Sequence, residues 1–236
     1  YPDWFKIGNF EVLPAAAHPS AKVFYVKYLY MAAYAIATKQ LNIFLSASIP
    51  NKSKDKDPKY AEAADVIAIR DAVLALTSVL LTNKCRLIWG GHPSITRLVA
   101  QVLNHYGEDA NKHVTLYQSR YFEQFFPLEN EEVAHIIITD DKGNKHDSLL
   151  EMRNHMLGDN EFDAAFFIGG MDGVEDEFKL FRNIHPKVKV FPIASTGAAA
   201  KFLYEDNKEI CDSRLETELT YTSLIKDLLN IKMKGI

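Results

Sequence analysis

The chain has 236 residues, 47% hydrophobic and 25% charged, enough apolar material for one large core and too much for a disordered tail. With 27 basic and 31 acidic residues the formal net charge is -4, so no global positive field recruits a nucleic-acid backbone and nucleic acid is not an expected partner. The two cysteines, Cys85 and Cys211, form neither a metal-type spacing nor a disulfide framework, which fits a reducing, cytoplasmic setting; no pair or trio of His and Cys has metal-ligand spacing, so no metal is expected, and no cofactor is expected either.

Residues 1–40 differ in texture from the rest. Tyr1-Pro-Asp-Trp opens an aromatic, Pro-interrupted stretch, and Val23 to Ala37 is an apolar run broken by Lys27. The uninterrupted remainder falls well short of the roughly 20 residues that a bilayer core requires, so no membrane contact is expected from it. The run predicts a helix packed on the domain or on a neighbouring subunit. Because the sequence opens on Tyr1, the alternative is the tail of a missing upstream effector domain.

Residues 41–236 read as one domain in which short apolar strands alternate with helices, the pattern of parallel strands joined by crossover helices. Leu41 to Ala47 is the first strand, followed by a loop from Asn51 to Lys59. That loop carries Lys52, Lys54, Lys56 and Lys59 interleaved with Asp55 and Asp57, a solvated loop rather than a nucleic-acid patch. Val66, Ile69, Val73, Leu76 and Leu80 recur at spacings of three and four, and Ile67, Leu74 and Leu81 widen the face, which predicts a largely buried helix. Arg86 to Trp89 is the second strand, Ile95 to Tyr106 a helix, His113 to Gln118 the third strand and Ala134 to Thr139 the fourth. Asp147 to Leu157 reads as a helix, Ala164 to Ile168 as the fifth strand and Val188 to Ile193 as the sixth. A helix begins near Gly197, and Glu216 to Ile231 makes a last amphipathic helix. The fold class is α/β: a Rossmann-like, doubly wound, mostly parallel sheet with helices on both faces.

In such a sheet, ligands bind beyond the carboxyl ends of the strands, where helix N-termini supply free N–H groups and a positive dipole end. The segments found there are Ser46 and Ser48 after the first strand and Gly90-Gly91-His92-Pro93-Ser94 after the second. Gln118 ends the third, Gly169-Gly170-Met171-Asp172-Gly173 with Glu177 follows the fifth, and Ser195-Thr196 follows the sixth. Glycine lets a ligand approach the backbone, and hydroxyls cap helices or donate to phosphate, so an anionic nucleotide is the natural guest. Each motif alone is as readily a tight turn or an N-cap. Neither the P-loop nor the Gly-x-Gly-x-x-Gly dinucleotide turn follows a strand.

Ile88-Trp-Gly-Gly91 leading into a helix, together with Phe167-Ile-Gly-Gly-Met-Asp-Gly-Val-Glu-Asp-Glu177, resembles the SLOG superfamily over roughly residues 41–206. That superfamily includes the LOG cytokinin-activating phosphoribohydrolases and the DprA DNA-processing proteins. Phe44-Leu-Ser-Ala-Ser-Ile-Pro50 and the Gly-Gly-His-Pro-Ser turn look closest to the branches found in bacterial antiviral conflict systems. There the resemblance implies a sensor of nucleotide-derived signals, of cyclic ADP-ribose or cyclic nucleotide type, that controls a TIR or Sir2 effector.

The departures from the hydrolase pattern Pro-Gly-Gly-x-Gly-Thr-x-x-Glu bear on activity. Ile168 stands for Pro, Val174 for Thr, and one extra residue separates Gly170 from Gly173. Val174 offers no hydroxyl to a phosphate. Glu177, one turn after Gly173, can reach a ribose diol or act in an enzyme as the catalytic carboxylate; its plainer role is a solvated charge beside Glu175 and Asp176. His92 is a binding residue or a structural one, and it lacks an acidic partner for general-base work. Arg153 and Arg70 are guanidinium forks for phosphate or ordinary surface ion pairs, and Gln118 and Arg120 line the rim.

Three readings follow. The first is a sensor that seats phosphate at the helix starts after Gly91 and Gly170, with ribose near Glu177 and with Ser46 or Ser48 on the rim; no residue is then catalytic. The second is a nucleotide N-glycosidase or phosphoribohydrolase using Glu177. The third, a single-stranded DNA binder, conflicts with the acidic composition. A homo-oligomer is expected, through Val23 to Ala37 or through Leu219, Leu224, Ile225, Leu228, Leu229 and Ile231 of the last helix, unless these belong to the core.

Overall fold

In the computed structural model, which describes residues 40–51 and 58–231 and the backbones of two short strands nearer the N-terminus, each apolar run read from Leu41 onward as a strand joins one sheet. The chain divides into two compact units, Tyr1–Gln40 and Leu41–Ile236. In the first, β1 (Phe5–Ile7) and β2 (Phe10–Val12) pair antiparallel, with Phe5 opposite Val12. The helix expected over Val23 to Ala37 lies outside the described residues, as do Lys52, Lys54 and Lys56.

The second unit holds β3 (Asn42–Ser48), β4 (Arg86–Trp89), β5 (Val114–Ser119), β6 (Ile136–Thr139), β7 (Ala164–Gly169) and β8 (Lys189–Ile193). They lie in the order β6-β5-β4-β3-β7-β8, and every neighbouring pair is parallel. From β3 the chain moves outward to β6, then returns across β3 to β7 and ends at β8. This reversal opens a crevice between the carboxyl ends of β3 and β7, which is where a doubly wound sheet binds its ligands.

The strands are apolar at nearly every position because both faces are covered. Ile43 and Leu45 of β3 and Phe166 and Ile168 of β7 face one core, with α2 (Val66–Thr82), α3 (Pro93–Tyr106) and α9 (Tyr221–Leu228). Phe44, Ala165 and Phe167 face the other, with α5 (Lys145–Gly158), α6 (Asp172–Ile184) and α7 (Ala198–Asp206). There the Phe44 and Phe181 rings stack at 5.3 Å, and the Phe178 ring meets Phe167 edge-on. Short helices α1 (Pro58–Ala63), α4 (Glu108–Asn111) and α8 (Arg214–Thr217) complete the order.

Two expectations are corrected. Ile67 does not widen the buried face of α2: it is 69% exposed and Val66 49%, whereas Ile69, Val73, Leu76, Leu80 and Leu81 are buried. The helix begins at the carboxyl rim, where the Asp65 N–H donates to the Thr196 carbonyl, so its first turn stands over loops rather than strands. The last helix is also two helices, α8 and α9. The Glu218 carboxylate accepts from the Leu219 and Thr220 N–H groups and the Thr220 hydroxyl, which ends one helix and starts the next. Leu219 is therefore exposed, while Leu224, Ile225 and Leu228 pack into the core against α2.

Candidate functional site

A cleft of about 1020 Å³ opens beyond the carboxyl ends of β3, β4, β5 and β7. Its floor is Ala47, Ser48, Gly90, Gly91 and Gln118. Gly91 has a φ of +67°, and a Cβ there would overlap the Gln118 amide, which instead donates to the Gly91 carbonyl at 3.1 Å. The turn thus presents backbone to the cleft.

One wall is the start of α3. His92 is the N-cap and Pro93 the first helical residue, where a missing N–H costs nothing. His92 Nδ1 and the Ser94 hydroxyl lie 2.8 Å apart, and the Ile49 N–H donates to the same hydroxyl at 3.2 Å, tying the loop after β3 to this helix start. No acidic residue stands in the first turn.

The opposite wall is α6, and alternation along β3 explains its central contact. Ser46 shares a face with Phe44, so its buried hydroxyl points toward α6 and donates to Glu177 Oε2 at 2.6 Å. Arg153 of α5 donates through Nε to Glu177 Oε1 at 3.1 Å and through Nη2 to the Gly173 carbonyl at 3.2 Å; Nη1 lies 3.5 Å from Asp176. The Arg153 and Glu177 side chains are only 13% and 14% exposed, so this pair is shielded from solvent and strongly oriented. Glu175, on another face of α6, accepts from the Tyr60 hydroxyl of α1 at 2.9 Å.

The outer walls have two characters. Phe122 and Phe125, in a 3-10 turn after β5, and Phe126 and Pro127, which follow it, join Leu149, Leu150 and Leu180 in an apolar surface. Lys145 and His146 from the start of α5, and Lys179 and Asn183 from α6, add polar and cationic groups. His146 lies 3.0 Å from Asp147, and hydrogen bonds from Asn144 and then His146 hold the Asp147 carboxyl below its ordinary range. Among the described residues no group of three or more His, Cys, Asp or Glu is placed to hold a metal ion, and no helix is long and apolar enough to cross a membrane.

Of the residues singled out in the sequence, Ser48, Gly90, Gly91, His92, Gln118, Arg153, Met171, Asp172, Gly173 and Glu177 line the cleft. Ser46 and Ser94 stand one layer behind and orient Glu177 and His92. Gly169, Gly170, Ser195 and Thr196 are not brought to it. The Gly169 N–H donates to the Thr196 hydroxyl at 2.9 Å and the Gly170 N–H to the Ser48 carbonyl at 2.8 Å, so both amides are spent on internal bonds. Ser195 bonds the Glu218 carbonyl and the Tyr221 hydroxyl. The helix start after Gly170 carries Asp172, Glu175, Asp176 and Glu177, an acidic turn unsuited to phosphate. Arg153, expected as a phosphate fork or a surface pair, spans this acidic turn. The phenylalanines after β5 were missed, although an aromatic run directly after a strand marks them in the sequence.

A family model described as the SLOG cluster3 family matches residues 59–229. No curated protein sequence matches the chain. Among solved structures, the X-ray structure of TM1055, a Northeast Structural Genomics Consortium target, is 16% identical, with a TM-score of 0.48 over 73% of this chain and 90% of that one. The family match spans well over half of the chain, including both glycine turns, Arg153 and Glu177, and the protein belongs to the SLOG cluster3 family.

Proposed function

We propose that the chain is a ligand-sensing SLOG domain that binds a nucleotide-derived second messenger and regulates an effector. The observation that carries this reading is the division of the cleft into three chemistries. Phe122, Phe125 and Phe126 offer flat apolar area for a base. Glu177, held by Ser46 and Arg153, offers oriented carboxylate oxygens to ribose hydroxyls. Lys145 and Lys179, with the acid-free start of α3, offer positive potential to phosphate, and His146 adds a ring N–H. Phosphate therefore sits toward α3 and the lysine rim rather than at the start of α6. The setting, a cytoplasmic homo-oligomer in bacterial antiviral defence with a TIR- or Sir2-type output, rests on the resemblance of the Ser-Ile-Pro, Gly-Gly-His-Pro-Ser and Ile-Gly-Gly-Met-Asp-Gly segments.

One feature favours a second reading. A carboxylate preset by two donors at the ribose position also suits an N-glycosidase, in which Glu177 would stabilise a developing oxocarbenium centre. Calorimetry with ADP-ribose, cyclic ADP-ribose, AMP and NAD, followed by chromatography for free base, separates the two. A sensor binds one of these with no base released, and Lys145→Glu/Lys179→Glu weakens binding at least about tenfold. Sustained base release abolished by Glu177→Gln selects the enzyme. Binding of none of the four, or equal binding by the double variant, overturns the nucleotide reading.

A further inference from the structure

Among the described residues nothing pairs with either end of the sheet, and the two ends carry opposite charge. At one end, β8 is hydrogen-bonded among the described strands to β7 alone. Beside it runs a groove of about 450 Å³ lined by five consecutive residues, Lys187 to Phe191, together with Arg182, Arg214 and Leu228. Its two carboxylates, Asp212 and Asp227, are answered by Arg214 at 2.9 and 3.1 Å. Lys187 and Lys189 are exposed and enter no ion pair among the described residues, and Arg182 reaches only the Pro186 carbonyl at 3.4 Å. The groove is therefore cationic over an apolar floor of Val190, Phe191 and Leu228. Its template ends before Pro192, which has no N–H to offer a new strand.

At the other end, β6 is hydrogen-bonded among the described strands to β5 alone. Its central Ile137 and Ile138 are 40% and 42% exposed, an unusual pair for an edge, which proteins ordinarily blunt with lysine or proline. Acidic pairs bracket the strand, Glu131-Glu132 before it and Asp140-Asp141 after it. Asp141 is bonded locally to the Gly143 N–H and the Ser148 hydroxyl, whereas Glu131, Glu132 and Asp140 are exposed and unpaired among the described residues.

We propose that β6 of one chain docks into the groove beside β8 of a second copy, extending the sheet from protein to protein. The occupant follows from chemistry on both sides: an aliphatic strand preceded by exposed carboxylates meets, in parallel, an aliphatic strand edge whose amino-terminal end carries unanswered lysines. All strands of the sheet run the same way, so a second copy displaced along the sheet presents its β6 parallel to β8. The contact is heterologous: each copy uses one edge as donor and the other as acceptor, so association proceeds head to tail. Backbone pairing supplies affinity and the charge pattern sets polarity, excluding β6 against β6 and β8 against β8. This inference concerns the sheet edges and stands apart from the nucleotide cleft.

Sedimentation velocity of the full chain over a range of concentrations tests it. Wild type is expected to form species growing beyond a dimer, weakened by salt as the charges are screened. Lys187→Glu/Lys189→Glu and Glu131→Lys/Glu132→Lys/Asp140→Lys are each expected to self-associate at least about tenfold more weakly. All of these residues are exposed, so circular dichroism of both variants is expected to match wild type. Mixing the two variants restores association, because each then presents one edge complementary to the other. A monomer at every concentration, a closed dimer indifferent to both variants, or a mixture no more associated than its components would overturn the proposal.

Discussion

Gly90-Gly91 after β4 and Gly169-Gly170 after β7 hold equivalent places at the carboxyl edge of one sheet, yet they serve opposite purposes. At Gly91 the missing side chain makes room for the Gln118 amide, and the turn forms cleft floor. At Gly169, with a φ of +57°, a Cβ would overlap Ile69 and come within 3.0 Å of the Ser48 carbonyl, so the turn is a clamp inside the protein. The helices that follow diverge as well. The start of α3 is free of acidic side chains, while α6 opens with Asp172 and Glu175 in its first turn and continues into Asp176 and Glu177. Two motifs that read alike as strings of residues thus become a lip of the cleft and a clamp that holds two strands.

The largest expected effect separates lip from clamp. Gly169→Ala combines left-handed backbone strain with a collision against a backbone carbonyl and a packed isoleucine, and is expected to cost about 3 kcal/mol. Gly91→Ala carries the same strain but meets only the ends of Gln118 and Leu116, which can shift, and is expected to cost about 2 kcal/mol. Urea unfolding midpoints read both. Equal losses, or the reverse order, would remove the distinction.

The acidic wall depends on its one shielded cation. Arg153→Ala leaves Glu177 facing Asp176 with no guanidinium between them, and is expected to lower stability by about 2 kcal/mol because the pair is mostly excluded from water. Arg153→Lys restores charge without the fork and is expected to recover less than half. A Ser46→Ala change removes a single hydroxyl donor and is expected to cost about 1 kcal/mol. Thermal unfolding of the three variants ranks them, and an Arg153→Ala protein as stable as Ser46→Ala would show that Glu177 is held from β3 rather than from α5.

Much of this was legible in the sequence, for identifiable reasons. Strands buried on both faces are apolar throughout, so runs such as Ala164 to Ile168 announce themselves, and Gly-Gly pairs mark where they end. Strand order is not written in any local pattern. Ser195 and Thr196 follow a strand and are hydroxylic, like a cleft segment, but β8 is an edge strand separated from β3 by β7, so their hydroxyls close internal bonds instead. The break at Glu218 was hidden because the apolar spacing runs through it; a carboxylate bonding forward to two N–H groups overrides periodicity. The phenylalanine wall sits in and just after one 3-10 turn, too short to show a period.

The smallest effect exchanges the characters of the two helix starts. Asp172 lies in the first turn of α6, where a carboxylate interacts favourably with the helix dipole and here accepts from the Gly173 N–H at 2.9 Å. Asp172→Asn keeps a hydrogen-bond acceptor and removes the charge, so the melting temperature is expected to fall by only about 1–2 °C. At the same time the cleft loses one of the negative charges that oppose a phosphate. Ser94→Asp does the reverse, placing a carboxylate beside His92 at the acid-free start of α3, where helix stability gains and phosphate is repelled. If phosphate is seated toward α3, Ser94→Asp weakens nucleotide binding severalfold, while Asp172→Asn strengthens it slightly. If phosphate is seated at α6 instead, Asp172→Asn has the larger effect. Calorimetry on this pair therefore locates the phosphate by which helix start responds, and circular dichroism of Ser94→Asp checks that the loop tied to Ser94 keeps its fold.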